Sequence, residues 1–303
     1  MNSPIDLSRL PAPNIVEPLD YETILAERKA RLIALYPEEE RDAITELLAL
    51  ESEPLVKLLE ENAYRELVLR QRINEAARAV MLAYANDADL EHLGALFEVG
   101  RLVTDPGNPD AIPPVPPSYE TDSELRRRIQ LSLDGLSTAG PAQAYVFHAL
   151  SANGNVKDAS VSSPAPGQVV VTVLARDNGG LADAALLEAV SQAVNAEDVR
   201  PLTDQVSVQA AEILDYTLDA TLYLYPGPDS TVVLAEARAQ ADAYTSEQHQ
   251  LGRDITLSGL YAALHRPGVQ RVELALPTAS LTVNPQQAAH CSGITLREGG
   301  TDE

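Results

Sequence analysis

Hydrophobic residues in the first third of the chain recur at the three- and four-residue intervals of one face of an α-helix. This pattern predicts helices over residues 21–35 and 38–50. A third and longer helix is predicted over residues 52–84, because no glycine or proline follows Pro54 there and proline is tolerated in a first helical turn. The apolar stripe of that helix contains Leu55, Leu59, Ala63, Leu67, Ile73, Ala77, Val80 and Tyr84.

A helix of this length spans about 45 Å, which is longer than the body of a small domain. We therefore expect part of it to project, so that its stripe needs a cover. A helix of a partner protein and a self-contained helical hairpin are both compatible with the periodicity. Under the first interpretation the partner-binding residues are Leu55, Leu59, Leu67, Ile73, Val80 and Tyr84.

Prolines dominate the next segment, residues 104–118, which contains six of them. Proline fixes its own φ and restricts the residue before it, so the segment is predicted to be an extended, semi-rigid linker. The PxxP spacing between Pro113 and Pro117 is also compatible with a ligand for a proline-reading module. A plain spacer between domains is the simpler interpretation.

Helical and strand patterns alternate after this linker. Thr121 and Glu124 have the spacing of a capping box at a helix start. Gly252 is predicted to close a helix, and the Thr256 hydroxyl to cap the next one.

Strict alternation over residues 216–225 predicts a strand with one buried face, and strands are also expected over 156–162, 168–174 and 269–276. Residues 278–303 are predicted to form a weak tail, with short edge strands at 281–283 and 294–296 and a frayed end over 298–303. The predicted class is α+β: a helical region over 1–103, the linker over 104–118, and two small α+β modules over 119–212 and 213–303.

Charge and composition exclude several functions. The 303 residues include 22 basic and 45 acidic ones, and the net charge of −23 repels phosphate backbones and anionic membranes. Neither nucleic acid nor a membrane is therefore an expected partner. Cys291 is the single cysteine, so no intramolecular disulfide forms. No signal peptide or membrane span is recognisable, and folding in the cytoplasm is expected.

Side chains that suggest chemistry are scattered. The five histidines are far apart, and none has a second ligand at a metal-binding spacing, so no metal or cofactor site is predicted. Two distant carboxylates meeting in a cleft, as in a glycosidase, form an alternative that no particular pair favours. The basic run Arg126, Arg127 and Arg128 is interpreted as a solvated helix face, with contact to an acidic neighbour as the alternative. We therefore predict no catalytic residue.

Several sequence motifs resemble those of one protein family. The run LGRDITLS at residues 251–258, followed by PGVQRV at 267–272 and Pro277, is similar to the C-terminal signature of baseplate J-like proteins of contractile-tailed phages. ETDSELRRR at 120–128 and VRPLTD at 199–204 look like central parts of that family. LEHLGALFEVGR at 90–101 looks like its N-terminal landmark, so the resemblance spans nearly the whole chain.

This resemblance implies a structural subunit of a baseplate wedge, assembled in the host cytoplasm and located in the virion tail. It implies a ring of copies around the tail tube that links baseplate rearrangement to sheath contraction. The implied partners are baseplate I-like and baseplate W-like proteins and the hub, tube and sheath region, with the helical region as the docking part. Two other hypotheses are a tail-associated cell-wall hydrolase and a soluble adaptor outside a tail.

Overall fold

The computed structural model describes residues 7, 10, 13, 15, 17–137, 139–227 and 229–301. Two compact units make up the chain, the helical unit Met1–Glu98 and the second unit Val99–Glu303. Helices account for 44% of the residues and strands for 24%, so the predicted α+β class is confirmed. The division at residues 103, 118 and 212 stays a prediction.

The helical unit is built from four α-helices within residues 17–98. The side chain of Asp20 caps the first of them by accepting from the Glu22 and Thr23 N–H groups. A short 3-10 turn, Glu38–Glu40, leads into the second. The helices are α1 (Tyr21–Ala34), α2 (Arg41–Leu47), α3 (Pro54–Ala79) and α4 (Asp87–Ala95).

Helix α3 ends earlier than its sequence pattern indicates. Its 26 residues span about 39 Å, and the prediction that it continues to Tyr84 is wrong. The chain turns after Ala79, and the Met81 carbonyl accepts from the N–H groups of Tyr84 and Ala85 at 2.9 and 2.8 Å. This turn places Ala85 in the interior, so tertiary packing ends the helix where no glycine or proline does.

The second unit begins with a hairpin where the sequence predicted an extended linker. Strand β1 (Val103–Asp105) pairs antiparallel with β2 (Ser118–Tyr119), so the proline-rich segment folds back on itself. Asn108 and Val115 exchange two backbone hydrogen bonds of 2.9 Å within it. The prediction of an extended conformation is therefore wrong, because backbone pairing at both ends outweighs the stiffness of proline.

Three helices pack against the first three-stranded sheet. Its strand order is β3-β4-β5, with β3 and β4 antiparallel and β4 and β5 parallel. Val171, Val173 and Val190 are fully buried in its core, and Thr121 with Glu124 forms the predicted capping box. The elements are α5 (Asp122–Gly135), α6 (Ala142–Ala152), β3 (Val156–Ser162), β4 (Gln168–Ala175), α7 (Ala184–Val194) and β5 (Gln205–Ala210).

Two helices pack against the second three-stranded sheet, whose order is β7-β6-β8. The predicted alternation holds, since Leu218, Ala220 and Leu222 face the core and the residues between them do not. Thr256 caps the second helix by accepting from the Gly259 N–H, as predicted. The elements are β6 (Glu212–Leu224), α8 (Ser230–Gln248), α9 (Leu257–Leu264), β7 (Val269–Leu276) and β8 (Gln287–Thr301).

Strand β8 replaces the weak C-terminal tail that the sequence predicted. It has 15 residues and runs parallel to β6 along nearly the whole length of that strand. Its buried side chains are small, as at Ala288 and Ala289, and its remaining positions are largely polar. The hydrophobic signal is therefore weak, and backbone pairing with β6 forms the strand. The end of the predicted frayed tail, residues 302–303, lies outside the described residues.

Candidate assembly surface

Helix α3 presents two different faces. One packs against α1 and buries Val56, Ala63 and Asn74. At 100° per residue these three positions fall within a narrow arc of the helix surface. The opposite side of α3 faces away from this packing, and it still carries large apolar side chains.

Four apolar residues form what we call the exposed stripe, which consists of Leu58, Leu69, Ile73 and Val80. Leu69 is 62% exposed, and Val80, at the C-cap, is 70% exposed. Leu58, Leu69 and Val80 are spaced by eleven residues, which is slightly more than three helical turns, so they fall within about 60° of the helix surface together with Ile73. The polar Asn62 lies between Leu58 and Leu69 on this arc, so the apolar residues are closest together from Leu69 to Val80.

The partner-binding residues predicted from the sequence differ in exposure. Ile73 and Val80 lie on the exposed stripe. Leu55, Leu59 and Leu67 are half-buried. Tyr84 is half-buried in the turn after the helix, so it is not part of the helix surface. The sequence prediction did not include Leu58 and Leu69, although the eleven-residue steps from Leu58 to Leu69 and from Leu69 to Val80 were a usable signal.

Ion pairs hold the helical unit together around Glu66 of α3. The Glu66 carboxylate accepts from Arg28 of α1 and, at 2.6 Å, from Arg70 of α3. Hydrogen bonds from Arg70 and Arg28 hold the pKa of Glu66 below its usual value of 4.5. Arg70 also pairs with Glu17, at 3.3 Å. These charges lie on the α1 side of α3 and leave the exposed stripe uncovered.

Asn74 fixes the chain segment that precedes α1. Its amide accepts from the Glu17 N–H at 2.8 Å and donates to the Glu17 carbonyl at 2.9 Å. A primary amide that pairs in this way imitates the backbone of a neighbouring strand. The buried Asn74 therefore positions this segment along α3, while most of the predicted arm before residue 17 lies outside the described residues.

The basic run of the second unit is not a solvated helix face, contrary to the sequence interpretation. Arg128 is 6% exposed and pairs with Glu120, which is 5% exposed. Arg127 pairs with buried Asp158 at 2.8 Å. Burial raises the pKa of Glu120, although the Leu102 N–H and Arg128 favour its charged form. These arginines tie α5 to neighbouring elements and form part of the fold.

Gly154 shows how closely the hairpin packs on this unit. A Cβ atom at that position would lie 2.0 Å from the Val103 carbonyl oxygen. Arg101 extends the same attachment, since it pairs with Asp122 at 2.6 Å and donates to the Glu120 carbonyl at 2.8 Å. The segment after residue 98 is therefore part of the folded second unit.

Within the described ranges, no cluster of three or more histidine, cysteine or carboxylate side chains is arranged to hold a metal ion. Within the same ranges, no helix combines the length and the apolar character that crossing a bilayer requires. The candidate site is therefore a surface, the exposed stripe of α3.

Known proteins and protein-family models match this chain along nearly its full length. Family models of the baseplate J-like N-terminal, central and C-terminal domains match residues 51–108, 137–210 and 216–297. Baseplate protein J of Escherichia phage P2 is 55% identical over 299 residues, which are 99% of each chain. A cryo-EM structure of the anti-feeding prophage baseplate matches with a TM-score of 0.37 and 15% identity, over 60% of this chain and 44% of that one.

The family models and the phage relative define the class as structural proteins of phage tail baseplates. The chain belongs to the baseplate J-like family, as its sequence motifs implied. It is a structural subunit of the baseplate, located in the virion tail.

Proposed function

We propose that this subunit is a wedge component of a contractile tail. Several copies form a ring around the tail tube, and the ring transmits a rearrangement of the baseplate to the sheath at the start of contraction. The subunit assembles with other baseplate proteins in the cytoplasm of the host bacterium. Its 55% identity to baseplate protein J of phage P2 supports this function.

The helical unit docks partner proteins through the exposed stripe of α3. The observation that carries this proposal is the row of uncovered apolar side chains on a helix whose opposite face is already packed. An amphipathic helix from a baseplate I-like protein is the occupant we propose, because helices bury such stripes in the grooves of their partners. Baseplate W-like, hub, tube and sheath proteins are the further neighbours.

Substitution of the exposed stripe tests this docking. The double variant Leu69→Asp/Ile73→Asp places charges in the proposed contact, and we expect its affinity for a coexpressed baseplate I-like protein to fall about tenfold or more. Both positions are exposed, so the fold of the helical unit should be retained. Affinity is measured with purified full-length chains.

Val68→Asp is the matched control, because Val68 is exposed on α3 but lies off the stripe. It should bind the partner like the unsubstituted chain. Equal binding by the double variant would refute docking through the stripe, and equal loss in both variants would show that the contact is not confined to it.

A structural role without catalysis is also part of the proposal. The hydrogen bonds of His148, His249 and His290 go to backbone carbonyls or to a carboxylate and not to a serine, threonine or cysteine side chain, and the stripe is apolar. Incubation of the purified chain with peptidoglycan should release no soluble fragments. Release that disappears when one carboxylate is replaced would support the hydrolase hypothesis instead.

A further inference from the structure

Two histidines from distant parts of the sequence meet inside the second unit. His249 follows α8 and His290 lies on β8, and their ring centroids are 5.3 Å apart. His249 is 7% exposed, and its Nδ1 lies 2.7 Å from the Ala289 carbonyl oxygen. His290 is more accessible, and its Nδ1 pairs with Asp215 of β6 at 2.7 Å.

The rings cover a glycine turn that belongs to the other sheet. Gly179 and Gly180, which follow β4, have φ angles of +64° and +101°. A Cβ atom on Gly180 would lie 2.9 Å from His249 Nε2, and one on Gly179 would lie 3.2 Å from the His290 ring. Both positions therefore need glycine, for their backbone conformation and for the closeness of the rings.

Small apolar side chains and a few hydrogen bonds form the rest of this junction between the two sheets. Leu174, Ala211 and Ala288 are buried together. The Asp158 carboxylate of β3 accepts from the Leu251 N–H at 3.0 Å. Ile213 and Leu251 pack against this cluster, and the two histidine rings lie beside it at the same junction.

The hydrogen bond to Ala289 fixes the proton arrangement of His249. In the neutral ring Nδ1 carries the proton that it donates, so Nε2 carries a lone pair. Nε2 faces Gly180 and has no hydrogen-bond partner in the described part of the chain. A second proton there gains no hydrogen bond within the described residues, so the charged ring is disfavoured against the glycine turn.

The surroundings of His249 together disfavour a second proton on its ring. Burial lowers its pKa below the usual 6.5, and Lys157 of β3 and His290 of β8 act in the same direction. The hydrogen bond to Ala289 and the charge of Asp215 act in the opposite direction. Because the pKa of His249 is lower in the folded chain, the contribution of this residue to stability is complete above about pH 6.5 and is lost as the pH falls below that value.

We propose that His249 and His290 form a pH-sensitive latch that holds the Gly179–Gly180 turn against the second sheet. The latch is closed while His249 is neutral and loosens when His249 gains a proton. Mildly acidic conditions then release the turn and allow the two sheets of the second unit to shift relative to each other.

Hydrogen exchange of the full-length chain tests the latch at about pH 7.5 and about pH 5.5, on either side of the usual histidine pKa. After correction for intrinsic exchange rates, protection of residues 178–181 and 288–291 should fall on the order of three- to tenfold at the lower pH. Amides of β4 at Val171 and Val173 should keep their protection.

His249→Asn retains a donor for the Ala289 carbonyl without a group that titrates, so its protection at these residues should not depend on pH. His148→Gln is the matched control, because His148 Nε2 contacts the Gly135 carbonyl at 3.1 Å, away from the junction. This control should lose protection at low pH like the unsubstituted chain. Unchanged protection of the unsubstituted chain, or an equal loss in His249→Asn, would overturn the proposal.

An NMR titration of the histidine rings in the unsubstituted chain gives a test that needs no variant. The His249 signals should change below the usual pH range, together with the amide signals of Gly179 and Gly180. A His249 titration that leaves those amides unchanged would also overturn the latch.

Discussion

In the helical unit, charges of opposite sign pair near the surface, whereas the second unit places an arginine–glutamate pair in its interior. Glu66 pairs with two arginines while about a third of its side chain stays exposed. Arg128 and Glu120 pair in the interior. The same kind of ion pair should therefore contribute differently to the stability of the two units.

Both units bury apolar side chains, and those of the second unit form extended cores. The second unit has a cluster of buried side chains on each sheet and a smaller one between the sheets, with residues such as Val190 and Leu260 fully inaccessible. In the helical unit, Leu90 and Ala63 are fully buried, but Leu69 and Val80 are not. Exposed ion pairs contribute little and are weakened by salt, so the helical unit should be the less stable one in isolation.

The largest expected effect comes from breaking the buried ion pair between Glu120 and Arg128. Glu120→Gln leaves the Arg128 charge buried without its partner, and we expect a loss of about 3–5 kcal/mol in unfolding free energy. Hydrogen exchange at the Val171 and Val173 amides measures it, because opening of the β4 core requires unfolding of the sheet.

Arg65→Gln removes a surface pair with Glu61 and serves as the comparison, with an expected change within about 0.5 kcal/mol. The double replacement Glu120→Leu/Arg128→Met should recover much of the loss, because no charge is then left unpaired. If Glu120→Gln costs less than about 1 kcal/mol, the contrast between interior and surface pairs is wrong.

A smaller effect is expected from the buried amide of the helical unit. Asn74→Ala removes both hydrogen bonds to Glu17, and we expect it to destabilise the helical unit by about 1–2 kcal/mol. Proteolysis near residue 17 should become faster. Asn62→Ala, which removes a bond to the carbonyl one turn earlier on the same helix, should leave that rate nearly unchanged.

The smallest expected effect is on the stability of the helical unit at low pH. The pKa of Glu66 is lowered from 4.5 in the folded chain, so its contribution to stability is complete above that pH and is lost as the pH falls. Glu66→Gln should flatten this acid dependence, followed by circular dichroism of the helices, and added salt should weaken it in the unsubstituted chain. An identical acid response in the variant would assign it to other carboxylates.

Local chemistry in the sequence determined the class of the fold and many element boundaries. The capping box of Thr121 and Glu124, the alternation along β6 and the cap at Thr256 act over a few residues, and all three were predicted. The positive φ of Gly252, 69°, also matches the sequence, but the prediction that this glycine closes the preceding helix is wrong, because α8 ends at Gln248. The sequence motifs also identified the family without any tertiary information.

The tertiary structure decided the features that depend on residues far apart in the chain. The sequence pattern indicates that Arg128 is solvated, and only the structure shows that Glu120 and the Gly100 carbonyl lie beside it. Four further features also became visible only in the folded chain. They are the pairing of β8 with β6, the folded-back proline segment, the end of α3 at Ala79 and the contact of His249 with His290. Periodicity records which residues are apolar, but burial and pairing are set by what packs opposite them, and only the folded chain specifies that.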